Sequence, residues 1–204
     1  MQLTPRDRHM LQWINGHGFV TVEQAGAWMR VNYSTGQRRM KKLTEAGLLK
    51  RKRFNFGQPR VNWLTKSGWE VSGDSLPPPK IINRITYHHD LTLVDVAQAV
   101  TAHTNGTFFP ERRLRADLLG KGKRTTCHLP DGMLYIDDQK PIAIELEMSV
   151  KAAERLDKII SGYFTNLKLK EVWYFVTNNE VRKAVERTIG TYDGFKVIDW
   201  EGAA

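Results

Sequence analysis

The first 65 residues change from one hydrophobic period to another. Apolar side chains three or four positions apart, as on one face of a helix, predict three successive helices. These helices are expected to open at Thr4, Thr21 and Tyr33. After Gly47 the period becomes two, which predicts a β-hairpin over 48–54 and 60–64 around a Gly/Pro turn. Three helices and a hairpin are typical of a winged helix-turn-helix, so we expect this fold over 1–72.

The segment 73–80 follows neither the helical nor the strand spacing of apolar residues, and it contains Pro77-Pro78-Pro79. Consecutive prolines lack amide N–H groups, cannot continue a helix and favour a stiff, extended spacer. The sequence therefore predicts a Pro-rich linker over 73–80, between the domain of 1–72 and a second domain of 81–204.

The pattern beyond the linker predicts helix, three strands, helix, strand, and then a further helix and strand. These elements are expected over 87–102, 107–109, 133–136, 142–148, 150–167, 172–177, 180–189 and 195–198. This order is typical of a mixed central sheet flanked by helices. The whole chain is therefore predicted to be an α+β protein.

The net charge of +9 is concentrated in the first part of the chain. Residues 1–80 hold 14 Lys/Arg and 5 Asp/Glu, whereas residues 81–204 hold 17 of each. A polyanion-binding module explains this separation better than a uniformly basic surface does, and we expect double-stranded DNA as its partner. A winged helix used for protein contacts is the alternative. The candidate DNA-binding residues are Gln37, Arg38, Arg39, Lys41 and Lys42 on the third helix, and Arg51, Lys52, Arg53 and Arg60 on the hairpin.

Composition excludes several classes of protein. The single cysteine, Cys127, excludes an intramolecular disulfide and a cysteine-based zinc cluster. No apolar run approaches the roughly 20 residues that cross a bilayer, and the start lacks a signal-peptide apolar region. We therefore expect a cytoplasmic protein with no membrane partner.

The predicted strand 142–148 contains two acidic residues that are candidates for a functional site. Because side chains alternate between the faces of a strand, Glu145 and Glu147 share one face. If that face is buried, the two carboxylates repel unless a cation neutralises them, and Asp131 can supply a third ligand. All-oxygen ligands favour Mg²⁺ or Mn²⁺. If the face is exposed, these are ordinary surface carboxylates, and spacing alone leaves both alternatives open.

Pro130-Asp131 followed by Glu145 on the next strand resembles the PD-(D/E)XK motif of restriction-endonuclease-like folds. Further stretches resemble the bacterial replication-relaxation family and the plasmid mobilisation relaxases related to restriction endonucleases, which join a winged helix to such a domain. These stretches are His89-Asp90-Leu91 with Asp95, Glu111-Arg112-Arg113-Leu114-Arg115, Pro130-Asp131-Gly132, Ala143-Ile144-Glu145-Leu146-Glu147, Lys158 and Tyr163.

The resemblance implies a restriction-endonuclease-like α/β domain that acts as a Mg²⁺- or Mn²⁺-dependent endonuclease or nickase at a plasmid origin or transfer site. A second copy of the chain or relaxosome proteins are the further partners it implies. The alternative is a non-catalytic DNA-binding accessory or regulatory factor with a degenerate nuclease fold. The catalytic residues would be Asp131, Glu145, Glu147, Lys151 and Glu111, with the first three as metal ligands.

One departure from the motif matters. Glu147 stands where the motif has a lysine, two positions after Glu145. Lys151, at the start of the following helix, can supply the missing cation, or it can be an ordinary solvated lysine. Glu111 can lie beside the site or pair with a neighbouring arginine.

The auxiliary candidates each have a structural alternative. His88, His89 and Asp90 can reach a metal or a phosphate, or form a hydrogen-bonded structural cluster. Tyr163 is a candidate covalent nucleophile, although a tyrosine on an amphipathic helix is usually a packing residue; Lys158 can contact a phosphate or stay exposed. A second basic stretch could guide DNA toward Asp131. It consists of Arg112, Arg113, Arg115, Lys121, Lys123 and Arg124.

Overall fold

The structure, a computed structural model, describes residues 2–120, 122, 128–164 and 168–202. The described residues form eight helices, a two-stranded sheet and a five-stranded sheet, which confirms the predicted α+β class. The chain divides into two compact units, Met1–Val94 and Asp95–Ala204, called here the first and the second unit. None of the described helices is long and apolar enough to cross a membrane.

The first unit begins with three helices and a hairpin, in the predicted order. The elements are α1 Pro5–His17, α2 Val22–Met29, α3 Tyr33–Glu45, β1 Leu49–Lys52 and β2 Val61–Leu64. Thr4 and Thr21 cap α1 and α2 with reciprocal capping boxes, so the predicted helix starts are confirmed. Asn32 caps α3 by accepting a hydrogen bond from the Thr35 amide at 3.0 Å.

The core of the first unit lies among these helices and the hairpin. Its fully buried members include Met10, Leu11, Ile14, Ala25, Met40 and Leu43. Helices α2 and α3 approach closely at two glycines: a Cβ on Gly36 would lie only 3.1 Å from Gly26 Cα. The absence of a Cβ on Gly36 lets the two backbones pack closely, and the opposite, basic face of α3 is exposed to solvent.

The segment predicted to be a linker is instead attached to α1. A short helix that the pattern does not predict, α4 Lys66–Ser72, follows β2. The side-chain amide of Asn15, on α1, then donates a hydrogen bond to Asp74 Oδ2 at 3.0 Å, and Leu76 is buried. Consecutive prolines exclude a helix but not packing, and the first unit consequently extends beyond residue 80, to Val94.

Helix α5 Tyr87–Thr104 crosses the division between the units. The second unit continues with β3 Thr107–Pro110, α6 Glu111–Gly120, β4 Gly132–Tyr135, β5 Ile142–Glu147, α7 Ala153–Phe164, β6 Glu171–Val176, α8 Asn179–Ile189 and β7 Phe195–Asp199. The predicted strands are confirmed to within a residue or two, whereas α6 is not predicted. The expected helix 150–167 begins later, at Ala153, and its last three positions lie outside the described residues.

The five-stranded sheet has the order β3-β4-β5-β6-β7. Strands β3, β4 and β5 pair antiparallel, and β5, β6 and β7 pair parallel, so the predicted mixed sheet is confirmed. Side chains of α7 and α8 pack on the face of β5 and β6 that carries Ala143, Val172 and Tyr174. By strand alternation this covered face also carries Glu145 and Glu147.

Candidate functional site

The site is built where β4 begins and β5 ends. Because these strands pair antiparallel with Gly132 opposite Ile144, the residue before β4, Asp131, lies beside the last residues of β5. The Leu146 amide donates a hydrogen bond to Asp131 Oδ2 at 2.8 Å. The sheet register thus brings together Asp131 and the two glutamates that flank Leu146.

Both glutamates of β5 are buried. Glu145 is 1% exposed and Glu147 is 4% exposed, since α7 and α8 cover their face of the sheet. The alternative of ordinary surface carboxylates is therefore wrong for this pair. Burying an ionised carboxylate costs free energy unless an opposite charge or hydrogen-bond donors stabilise it, so the groups that contact each glutamate decide its state.

Glu145 has two partners that contact the same carboxylate oxygen. His128 Nε2 lies 2.6 Å from Glu145 Oε1, and the Tyr163 hydroxyl donates a hydrogen bond to the same atom. Burial raises the pKa of Glu145 to about 7; the Asp131 charge also raises it, while His128 and Tyr163 act in the opposite direction. Glu145 is therefore poised between its charged and neutral forms near neutral pH.

Glu147 forms an ion pair with Lys151, four residues further along the chain. Lys151 lies in the segment before α7 rather than in its first turn, and its side chain is 22% exposed. The Lys151 ammonium therefore approaches the buried carboxylates while keeping access to solvent. This placement differs from a fully solvated lysine, and it puts a cation beside the glutamate that replaces the lysine of the motif.

Both His128 and Tyr163 contact Glu145, and the pKa of each is raised. Burial lowers the pKa of the His128 imidazole, but the hydrogen bond and the charge of Glu145 outweigh burial and raise this pKa above its ordinary value. Burial and the Glu145 charge raise the pKa of Tyr163 far above the ordinary phenol value. Tyr163 is a donor to Glu145 and a buried core residue, which agrees with a packing role.

Tyr174 is a further buried residue beside the acidic side chains of the site. Parallel pairing places Tyr174 on β6 opposite Glu145 on β5, and its side chain is fully buried. Among the described residues, no atom forms a hydrogen bond with its hydroxyl. Burial and the charges of Glu145, Glu147 and Asp131 raise the pKa of Tyr174 above its ordinary value. A buried hydroxyl without a partner, beside acidic groups, is unusual in a protein core.

Neither His128 nor Tyr174 is singled out by the sequence pattern. His128 stands three residues before Asp131, so its closeness to the Pro-Asp motif is a signal that points to it. Tyr174 carries no comparable signal, because an aromatic residue in a buried strand is the ordinary case.

Glu111 lies beside the site through its backbone. Its amide donates a hydrogen bond to the Asp131 carbonyl oxygen at 2.8 Å, while its side chain pairs with Arg115. The side chain thus pairs with a neighbouring arginine, as one alternative expects, and a catalytic role of the Glu111 carboxylate stays a prediction. Arg112 and Arg113 are half-buried. Lys121, Lys123 and Arg124 of the second basic stretch lie outside the described residues, as does Cys127.

His88, His89 and Asp90 belong to the first unit, where His88 Nε2 lies 3.0 Å from Gln58 Nε2 and the Thr86 hydroxyl donates to Asp90 Oδ2 at 2.8 Å. These bonds agree with a hydrogen-bonded structural cluster. Lys158 is exposed on α7.

The first unit keeps the whole charge excess, with 15 Lys/Arg and 6 Asp/Glu over Met1–Val94. The predicted DNA-binding side chains that are exposed are Gln37, Arg38, Lys41 and Lys42 on α3, and Lys52, Arg53 and Arg60 on the hairpin. Arg51 is half-buried. Arg39 is different, because its Nε donates to Asp7 Oδ1 at 2.6 Å in an ion pair with α1. Arg39 thus has a structural role that its neighbour Arg38 lacks.

Among the residues that the structure describes, no three His, Cys, Asp or Glu side chains are grouped so that they could hold a metal ion. Both glutamates contact protein partners instead. Ligation of Mg²⁺ or Mn²⁺ by Asp131, Glu145 and Glu147 therefore stays a prediction. No protein-family model matches the chain, and no curated protein sequence matches it.

Proposed function

We propose that this chain is a DNA-binding protein whose second unit is a Mg²⁺- or Mn²⁺-dependent endonuclease or nickase. The observation that carries the proposal is the burial of Glu145 and Glu147 on one face of β5, beside Asp131. Helices normally cover apolar sheet faces, and two adjacent acidic positions on a covered face are costly unless they have a function.

The donor chemistry fits a hard divalent cation. Asp131, Glu145 and Glu147 offer carboxylate oxygens, the ligands that Mg²⁺ and Mn²⁺ prefer, and would hold the ion. The raised pKa of Glu145 reflects burial and the nearby Asp131 charge, both of which a bound cation would offset. The unpartnered Tyr174 hydroxyl beside these acids offers one more oxygen that a ligand could engage.

A bound divalent ion would supply Lewis-acid stabilisation of a phosphodiester and an activated water. Lys151, now paired with Glu147, would place its ammonium on a phosphate oxygen once the ion neutralises that carboxylate. His128 lies 2.6 Å from Glu145 and is 33% exposed at its side chain, so we propose it as the group that would protonate a leaving oxygen.

The first unit would deliver this site to double-stranded DNA. Its three helices and hairpin fit a winged helix-turn-helix, with the exposed cations of α3 directed at the major groove and those of the hairpin at a neighbouring backbone. The short motifs that resemble the replication-relaxation family and the plasmid mobilisation relaxases support a proposed role in plasmid or mobile-element DNA processing, with a second copy of the chain or relaxosome proteins as further partners.

The second candidate is a non-catalytic DNA-binding accessory factor or regulator. The observation in its favour is that protein groups already balance the buried acids. Lys151 pairs with Glu147, and both His128 and Tyr163 bond Glu145. In that case the degenerate site would stabilise the second unit without binding any cation.

A plasmid assay separates the two candidates. Supercoiled plasmid that carries the cognate origin is incubated with Mg²⁺ or Mn²⁺ and with wild-type protein, Glu145→Gln or Glu154→Gln; Glu154 is an exposed carboxylate on α7 and serves as the control. We expect nicking by wild type and Glu154→Gln and at least a 100-fold loss in Glu145→Gln. Salt-sensitive DNA binding by wild type, without nicking in Mg²⁺ or Mn²⁺, would favour the second candidate, the non-catalytic accessory factor.

A further inference from the structure

The β-hairpin of the first unit carries two phenylalanines with opposite environments. Phe54 is half-buried, with its ring centroid 6.1 Å from that of Trp63 and 6.0 Å from that of Tyr87. Phe56, two residues further on, is 101% exposed, so its whole ring projects into solvent. Phe54 thus anchors the hairpin to the core, and Phe56 contributes nothing to that core.

The chain around Phe56 is held in a defined turn. The Gln58 amide donates to the Asn55 carbonyl oxygen at 3.3 Å, and Gly57 adopts a φ of 78°, a left-handed conformation that favours glycine. Below the turn, the Tyr87 hydroxyl donates to the Pro59 carbonyl oxygen at 2.9 Å. Phe56 is therefore presented at the tip of a hairpin whose base is anchored to the unit.

Positive charges surround this apolar tip. Lys52, Arg53 and Arg60 are exposed on the two arms of the hairpin, and Lys52 Nζ lies 5.6 Å from the Phe54 ring centroid. Cations on both arms suit the two phosphate backbones that border a groove of DNA. Between those backbones, the apolar surface that a phenyl ring can cover is that of the bases.

We infer that Phe56 is an apolar wedge that enters the minor groove of duplex DNA and partly unstacks one base step. Apolar side chains at basic tips use this mode to unwind and kink DNA. The minor groove, about 6 Å wide, admits a hairpin tip only after widening, and insertion of the ring would supply that widening. This inference rests on the proposed DNA binding by the first unit and adds how the hairpin engages the duplex.

Unwinding can be measured without knowing the target sequence. Relaxed plasmid is saturated with protein in EDTA, treated with a topoisomerase that needs no divalent cation, and stripped of protein before its linking number is read. The variants are Phe56→Ala, which removes the wedge, and Phe56→Leu, which keeps an apolar side chain. Ile81→Ala serves as a matched control, because Ile81 is 87% exposed and lies off the hairpin.

We expect wild type, Phe56→Leu and Ile81→Ala to shift the linking number, and Phe56→Ala to lose at least three quarters of that shift. Phe56→Ala should still bind DNA with an affinity within about threefold of wild type and with the same salt slope. A shift that survives in Phe56→Ala, or bound wild type that causes none, overturns the wedge but leaves DNA binding intact. Absence of binding by wild type overturns both proposals. A change of oligomeric state in Phe56→Ala with an unchanged linking number would assign Phe56 to a protein contact instead.

Discussion

At the scale of single residues, Arg38 and Arg39 show how neighbours in sequence take different roles. Helical geometry turns Arg39 toward α1, where its guanidinium pairs with the buried carboxylate of Asp7, while Arg38 stays exposed. Asp7 also closes the capping box of α1 with Thr4. One ion pair therefore joins the start of α1 to α3, and Arg38 stays on the exposed basic face of α3.

Alanine substitutions separate these two roles. Arg39→Ala leaves the Asp7 carboxylate without its main partner, and we expect it to lower the free energy of unfolding by about 2 kcal/mol. Arg38→Ala should change stability by less than about 0.5 kcal/mol but reduce the salt slope of DNA binding by about one. Urea unfolding and binding titrations at several salt concentrations check both. Equal stability losses in the two variants would contradict the assigned roles.

The same ion pair predicts a pH dependence. Burial alone would raise the pKa of Asp7, but hydrogen bonds from Arg39 and Thr4 outweigh it and lower this pKa below its ordinary value of 3.8. A lowered folded-state pKa means stability that is full above 3.8 and is lost as the pH falls through the folded-state value. The stability gap between wild type and Asp7→Asn should therefore be constant at neutral pH and shrink below pH 3.8. Urea unfolding across this range measures the gap; if it widens on acidification, the ion pair is not its source.

Tyr174 permits a third test at this scale. Because its buried hydroxyl has no hydrogen-bond partner among the described residues, Tyr174→Phe removes an unsatisfied group without changing the ring. We expect the cation-free protein to gain about 1 kcal/mol of stability, as measured by urea unfolding in EDTA. Tyr192→Phe is the control, since Tyr192 is 41% exposed. A loss of stability in Tyr174→Phe would show that the hydroxyl is satisfied after all.

At the scale of elements, the helices that the sequence predicts are those whose signals are local. Thr4 and Thr21 cap their own helices, and apolar side chains follow at helical spacing. The missed helices lack such a stripe: α6 has no fully buried residue, and α4 buries only Gly68 and Ser72. Their positions depend on the neighbours against which they pack, which a local pattern does not contain.

Gly68 shows this dependence directly. A Cβ there would lie 2.0 Å from the Leu48 carbonyl oxygen, so α4 can pack against the backbone of Leu48, the residue before β1, only with glycine at this position. We expect Gly68→Ala to lower the free energy of unfolding by about 3 kcal/mol. The control is Gly26→Ala, whose Cβ would make only an ordinary contact of 3.5 Å with Val31 and should be almost neutral. Thermal and urea unfolding compare the two; a neutral Gly68→Ala would refute the close packing of α4.

At the scale of the whole molecule, the chain combines a basic first unit with a charge-balanced second unit. The charge separation could be counted from the sequence, and strand alternation put Glu145 and Glu147 on one face. Whether that face is buried depends on how α7 and α8 pack, and the meeting of His128 and Tyr174 with Glu145 depends on a loop and on strand register. These are long-range contacts, so the sequence predicted the acids but not their surroundings.

Calorimetric titration with Mn²⁺ tests most directly whether the buried acids of the second unit bind a divalent cation, as we propose. Wild type and the exposed-residue control Glu154→Gln should give the same saturable heat, and Glu147→Gln should bind at least tenfold more weakly. This result would confirm a cation site made by the carboxylates of β5. The absence of saturable binding by wild type, or equal binding by Glu147→Gln, would contradict it.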